Sequence, residues 1–97
     1  MTEKQIKPLR SFIKFYGEAN QIIKAIEECA ELQKELTTDF LTLSQNSIAI
    51  DVDSLSSEIA DVTIMLEQLK IIFNCSESVE DWIDYKIKRQ IERMKQQ

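Results

Sequence analysis

Between positions 21 and 36 the chain reads Gln21-Ile22-Ile23-Lys24-Ala25-Ile26-Glu27-Glu28-Cys29-Ala30-Glu31-Leu32-Gln33-Lys34-Glu35-Leu36. Ile22, Ala25, Ile26, Cys29, Leu32 and Leu36 recur at steps of three and four, the period of an amphipathic helix. The spacing predicts a helix from about Glu18 to at least Leu36, with continuation to about Leu43 left open. Glu28 and Glu31 stand three apart, so their side chains are neighbours, with Lys24 and Glu35 on the same strip. Glu28 borders the apolar face beside Leu32.

A second stretch, Glu58-Ile59-Ala60-Asp61-Val62-Thr63-Ile64-Met65-Leu66, repeats the arrangement. With Glu58 at zero and about 100° per residue, Val62, Met65, Leu69 and Ile72 fall within about 40° of it, and Asp61 about 60° away. Glu58 is therefore set inside an apolar stripe and Asp61 at its edge. A carboxylate among core residues is costly unless paired or bound to metal. Packing the two helices antiparallel on their stripes brings two carboxylate pairs face to face. Four carboxylates in one small space repel, and they protonate in part unless a cation neutralises them. Ligation by oxygen alone selects a hard ion, Mg²⁺ first and Mn²⁺ as a substitute. One acidic i,i+3 pair on a helix is commonly just solvated; two such pairs on consecutive helices point to a metal.

Outward from these helices the pattern stays helical. Residues 1–17 read as a short amphipathic helix, opening at Pro8, with Leu9, Phe12, Ile13 and Tyr16 on one side and Gly17 at its C-cap. Residues 37–52 are the least regular: Thr37-Thr38-Asp39 and Ser44-Gln45-Asn46-Ser47 are turn-rich, and Ile48 to Val52 fits extended chain. A third helix is expected from an N-cap at Asp53 or Ser54 to about Phe73. After a short connection at Asn74 to Glu77, a fourth opens at Ser78 with acids first and Lys/Arg last, as the helix dipole favours. One Gly and one Pro in 97 residues leave few turns. The expectation is a single all-α domain over residues 1–97, a four-helix bundle whose small core is completed by self-association.

Composition narrows the chemistry. A formal net charge of −5 argues against general nucleic-acid binding, which needs a basic face. No stretch approaches the roughly 18 apolar residues of a membrane span, and Met1 to Lys14 lacks a signal-peptide core, so a cytoplasmic protein is expected. The chain has no histidine, which removes Ser-His and Cys-His catalysis, His-ligated zinc and Glu-x-x-His di-iron sites. Cys29 and Cys75 are too few for a zinc motif or disulfide framework and are expected as buried free thiols.

Residues 21–32, with Glu27-Glu28-Cys29-Ala30-Glu31 at their centre, resemble the E-E-x-x-E motif of MazG-type pyrophosphohydrolases. Glu58-Ile59-Ala60-Asp61 resembles their E-x-x-D motif, and the 26 residues between Glu31 and Glu58 are similar to the family's spacing. The resemblance covers about residues 15–93. It implies an all-α enzyme that hydrolyses (d)NTP to (d)NMP and pyrophosphate, of the nucleotide-pool sanitation type. It implies Mg²⁺ on Glu28, Glu31, Glu58 and Asp61, with Glu27 holding a further metal or orienting the attacking water. It also implies association as tetramers or dimers, with sites near subunit contacts. Lys86, Arg89 and Arg93 resemble the family's basic C-terminal helix, which reaches the triphosphate; Lys24 is a similar phosphate-binding candidate. Each has a plainer reading, as dipole-favoured cations for the last helix and as a salt bridge to Glu28 for Lys24. Trp82, Tyr85, Phe15 and Tyr16 would stack on a base or, more ordinarily, fill a core or subunit contact. Ser54 departs from members that carry a lysine one turn before the second motif. Two other readings share the acids: a phosphoribosyl-ATP pyrophosphohydrolase, and a helical module that binds nucleotide or Mg²⁺ without turnover.

Overall fold

The computed structural model describes residues 1–46 and 51–96. Every regular element among them is an α-helix: α1 Glu3–Ile6, α2 Leu9–Tyr16, α3 Glu18–Asn46, α4 Val52–Ile72 and α5 Ser76–Lys95. The first expected helix is split in two. Thr2 caps α1 reciprocally with Gln5, and Pro8, which has no N–H to continue the ladder, stands as the N-cap of α2. Gly17 ends α2 at φ 91°, ψ 148°. A Cβ there would meet no atom within 4 Å, so the glycine is required by its backbone angle rather than by crowding.

Three boundaries differ from the sequence-based expectation. α3 runs unbroken through the turn-rich Thr37-Thr38-Asp39 to Asn46, with no Gly or Pro inside it. The Thr37 hydroxyl donates to the Gln33 carbonyl at 2.8 Å, so the threonine bonds within the helix instead of redirecting the chain. α4 is capped by Asp51, whose carboxylate accepts from the Ser54 N–H at 3.1 Å, and not by Asp53 or Ser54. Of the stretch expected as extended, Val52 is already helical; residues 48–50, with Ser47, lie outside the described residues. α5 begins two residues earlier than expected, after Asn74 turns the chain at φ 49°.

α3 and α4 pack antiparallel, Gln21 meeting Gln68 and Glu28 meeting Asp61, and α2 lies against both. Leu9, Ile13, Ala25 and Met65 form the buried apolar core. Between α3 and α4 the buried amides of Gln21 and Gln68 meet, Gln21 Nε2 donating to Gln68 Oε1 at 2.7 Å. α5 does not join this packing. All its residues except half-buried Val79 are exposed, and it is tied to α4 near the turn, where Lys70 lies 3.7 Å from Glu80.

Much of the apolar periodicity is left uncovered. Ile26 is 65% exposed, Leu36 40% and Phe12 40%, so the apolar faces of α2 and α3 are wider than their contacts within one chain. Cys29 shares that uncovered side of α3 and is exposed, while Cys75 is half-buried; the expectation of two buried thiols is corrected. The aromatic residues Phe15, Tyr16, Trp82 and Tyr85 likewise lie outside the core, paired edge-to-face as Phe15–Tyr16 and Trp82–Tyr85. No helix among the described residues is long and apolar enough to cross a membrane.

Candidate metal centre

The antiparallel register of α3 and α4 assembles the acids. From the Gln21–Gln68 contact, seven residues along α3 lead to Glu28 and seven back along α4 lead to Asp61. Seven residues are close to two helical turns, so both partners return to nearly the same face. Carboxylate oxygens of Glu28, Glu58 and Asp61 lie within 4.8 Å of one another. Glu28 and Glu58 are half-buried and Asp61 is exposed, as expected for one acid in the stripe and one at its edge.

Glu58 is the least comfortable member. Its Oε2 is buried and has no hydrogen-bond partner. Burial pushes its carboxyl above the usual glutamate range, and the charges of Glu35, Asp61, Glu28 and Glu31 push in the same direction. Glu28 has a cationic neighbour: Lys24 Nζ sits 3.1 Å from Glu28 Oε1, one turn earlier on α3. That hydrogen bond and the Glu28 charge hold the Lys24 ammonium above the usual lysine range, with smaller contributions from Glu27 and Asp61.

The remaining candidates are distributed around this centre. Glu31 is exposed and outside the converging trio, yet near enough for its charge to act on Glu58. Glu27 is also exposed and acts on Lys24. Lys86 and Arg89 are on α5, where each lies over a ring: Lys86 Nζ is 5.9 Å from the Trp82 centroid and Arg89 Cζ 5.7 Å from that of Tyr85. Arg93 lies one turn further along the exposed helix. Among the described residues, none of these three α5 cations forms an ion pair with the acidic trio.

Three residues near the centre were not among the site candidates read from the sequence. Glu35 is half-buried and contributes the largest charge effect on Glu58; its place seven residues after Glu28 was the available signal. Gln21 and Gln68 were assigned no role, although each stands seven residues from a candidate acid.

The donor set fits a hard divalent cation. It is all oxygen, it comes from two rigid helices, and it includes a buried carboxylate oxygen with nothing to bond. A cation bridging Glu28, Glu58 and Asp61 would neutralise repulsion that the fold otherwise sustains. Comparison of the chain with protein-family models, with curated proteins and with solved structures returns no match.

Proposed function

We propose that this chain is a Mg²⁺-dependent nucleoside triphosphate pyrophosphohydrolase of MazG-like type, releasing a nucleoside monophosphate and pyrophosphate. The observation that carries the reading is the convergence of Glu28, Glu58 and Asp61 oxygens within 4.8 Å, with Glu58 Oε2 buried and unpartnered. Glu31 completes the ligand set from the adjacent turn of α3, and Glu27 orients the attacking water or holds a further ion. Bound there, Mg²⁺ supplies charge neutralisation at the triphosphate and a more acidic water.

The chain's own groups divide the remaining work. The carboxylates hold the site rigid on two packed helices. Lys24, beside Glu28, contributes a positive charge to a phosphate oxygen, a role its exposed ammonium can reach from the site's edge. Lys86, Arg89 and Arg93 are assigned to the distal phosphates.

Self-association is part of the same proposal. The chain's accessible surface is 7845 Å² at 11.3 kDa, whereas a compact monomer of that mass exposes about 5,700 Å². Its radius of gyration, 16.8 Å, exceeds the roughly 12.5 Å of a compact domain of this length. A second copy is the simplest partner for the bare faces of α3 and α5. It also offers the α5 cations a route to an acidic centre.

The test is calorimetric titration of Mg²⁺ into the wild type and into Asp61→Asn. Saturable binding that the variant loses, with its helical circular dichroism intact, supports the centre. Equal binding by both removes it.

A further inference from the structure

The cross-helix contact between Gln21 and Gln68 has no role in the reading above. Among the described residues it is the one hydrogen bond that joins side chains on different helices; the others stay within four residues. Gln68 is 2% exposed and Gln21 8%. Gln68 also donates to Met65 Sδ at 3.6 Å, which ties the amide to its own helix. Two amides placed so deeply in a small core are costly unless they meet.

The apolar stripes around them do not choose an alignment. The α4 stripe repeats Val62, Met65, Leu69 and Ile72 at steps of three and four, so sliding α3 by one turn would still set apolar groups against apolar groups. The amides are different: in a slipped alignment each would face an apolar side chain and lose its partner. A buried polar pair among interchangeable apolar contacts can specify register in packed helices.

We infer that Gln21 and Gln68 are positioning residues that lock the α3–α4 register and so set Glu28 opposite Asp61, seven residues away on each helix. The inference rests on the proposed metal centre for its consequence, but the register it asserts is measurable without any metal. A slip of one turn would move Glu28 about 5 Å along the axis, enough to separate oxygens that now lie within 4.8 Å.

The test is the double variant Gln21→Met/Gln68→Met, which replaces the amides with apolar side chains of similar shape. Removing both partners together avoids stranding either one, so the variant is expected to fold and to melt near or above the wild type. Methyl NOE spectroscopy reads the register. In the wild type the cross-helix NOEs from the Ala25 methyl are expected at Met65 and Leu69, between which the Gln21–Gln68 register places it. In the variant the pair is expected to shift by one turn, to Val62 with loss of Leu69 or to Ile72 with loss of Met65, or to split between registers. The rise in melting temperature on adding Mg²⁺ is expected to fall by at least half.

An Ala25 NOE pair that stays at Met65 and Leu69, or a variant that does not fold, overturns the inference. So does a displaced pair with the wild-type Mg²⁺ response unchanged. If the wild type shows no Mg²⁺ response, the metal centre fails while the NOE still decides the register.

Discussion

The Lys24 ammonium lies 3.1 Å from the Glu28 carboxylate, so the acidic centre has one cation built into its edge. Lys24 is about half exposed, and such an i,i+4 pair contributes little to folding. Replacing it with methionine should therefore leave thermal stability nearly unchanged. If Lys24 contacts phosphate, KM for a triphosphate should rise roughly tenfold, the effect of one charged hydrogen bond. Steady-state kinetics beside a melting curve separate the two roles: an unchanged KM would leave only the salt bridge.

Glu58 is expected to destabilise the metal-free protein. Its folded-state carboxyl is pushed above the usual range, so the native state holds that proton more tightly than the unfolded chain. The resulting stabilisation is present below the unfolded glutamate value, about 4.3, and is lost as pH rises through the higher folded value. In EDTA at neutral pH, Glu58→Gln should melt a few degrees above the wild type. The gap should shrink as pH falls toward the ordinary glutamate range. In Mg²⁺ the order should reverse, because the variant forfeits the ligand. Melting curves across pH, with and without metal, check each sign.

How much of this was legible beforehand depends on the element. The acids of α4 were legible because Glu58 breaks an apolar stripe, and that conflict shows in any helical projection. The reach of α3 was not, since Thr37, Thr38 and Asp39 favour turns locally, yet Thr37 satisfies its hydroxyl within the helix. The Gln21–Gln68 contact was hidden for a different reason. An amide's burial depends on which residue it meets across the interface, and helical periodicity says nothing about that partner. The uncovered faces of α3 and α5 were likewise illegible as such, because periodicity marks an apolar face but not what covers it.

The core is small enough that one residue should matter greatly. Leu9 is 2% exposed where α2 lies against the helix pair. Leu9→Ala should cost about 2–5 kcal/mol, a large part of the stability of a domain this size. Urea denaturation should show the midpoint falling sharply. An exposed control on the same helix, Ser11→Ala, should move it by no more than about 0.5 kcal/mol.

α5 carries the prediction about assembly. Ile87 is 57% exposed and Ile91 48%, so within one chain neither is a core residue. Ile87→Asp/Ile91→Asp should leave the helical content of a single chain intact and shift the mass measured by light scattering to that of a monomer. A wild type that is already monomeric would remove self-association, and an oligomer that survives the change would move the contact off α5.

The central claim is tested most directly by pyrophosphate release from a panel of dNTPs and NTPs, with and without Mg²⁺, using wild type beside Glu28→Ala and Asp61→Ala. The account predicts Mg²⁺-dependent release of pyrophosphate in step with the matching monophosphate, at least about a hundredfold slower in either variant, as for loss of a group acting on the reacting phosphate. A folded wild type that releases nothing from any nucleotide, or variants that turn over as fast as wild type, would contradict it.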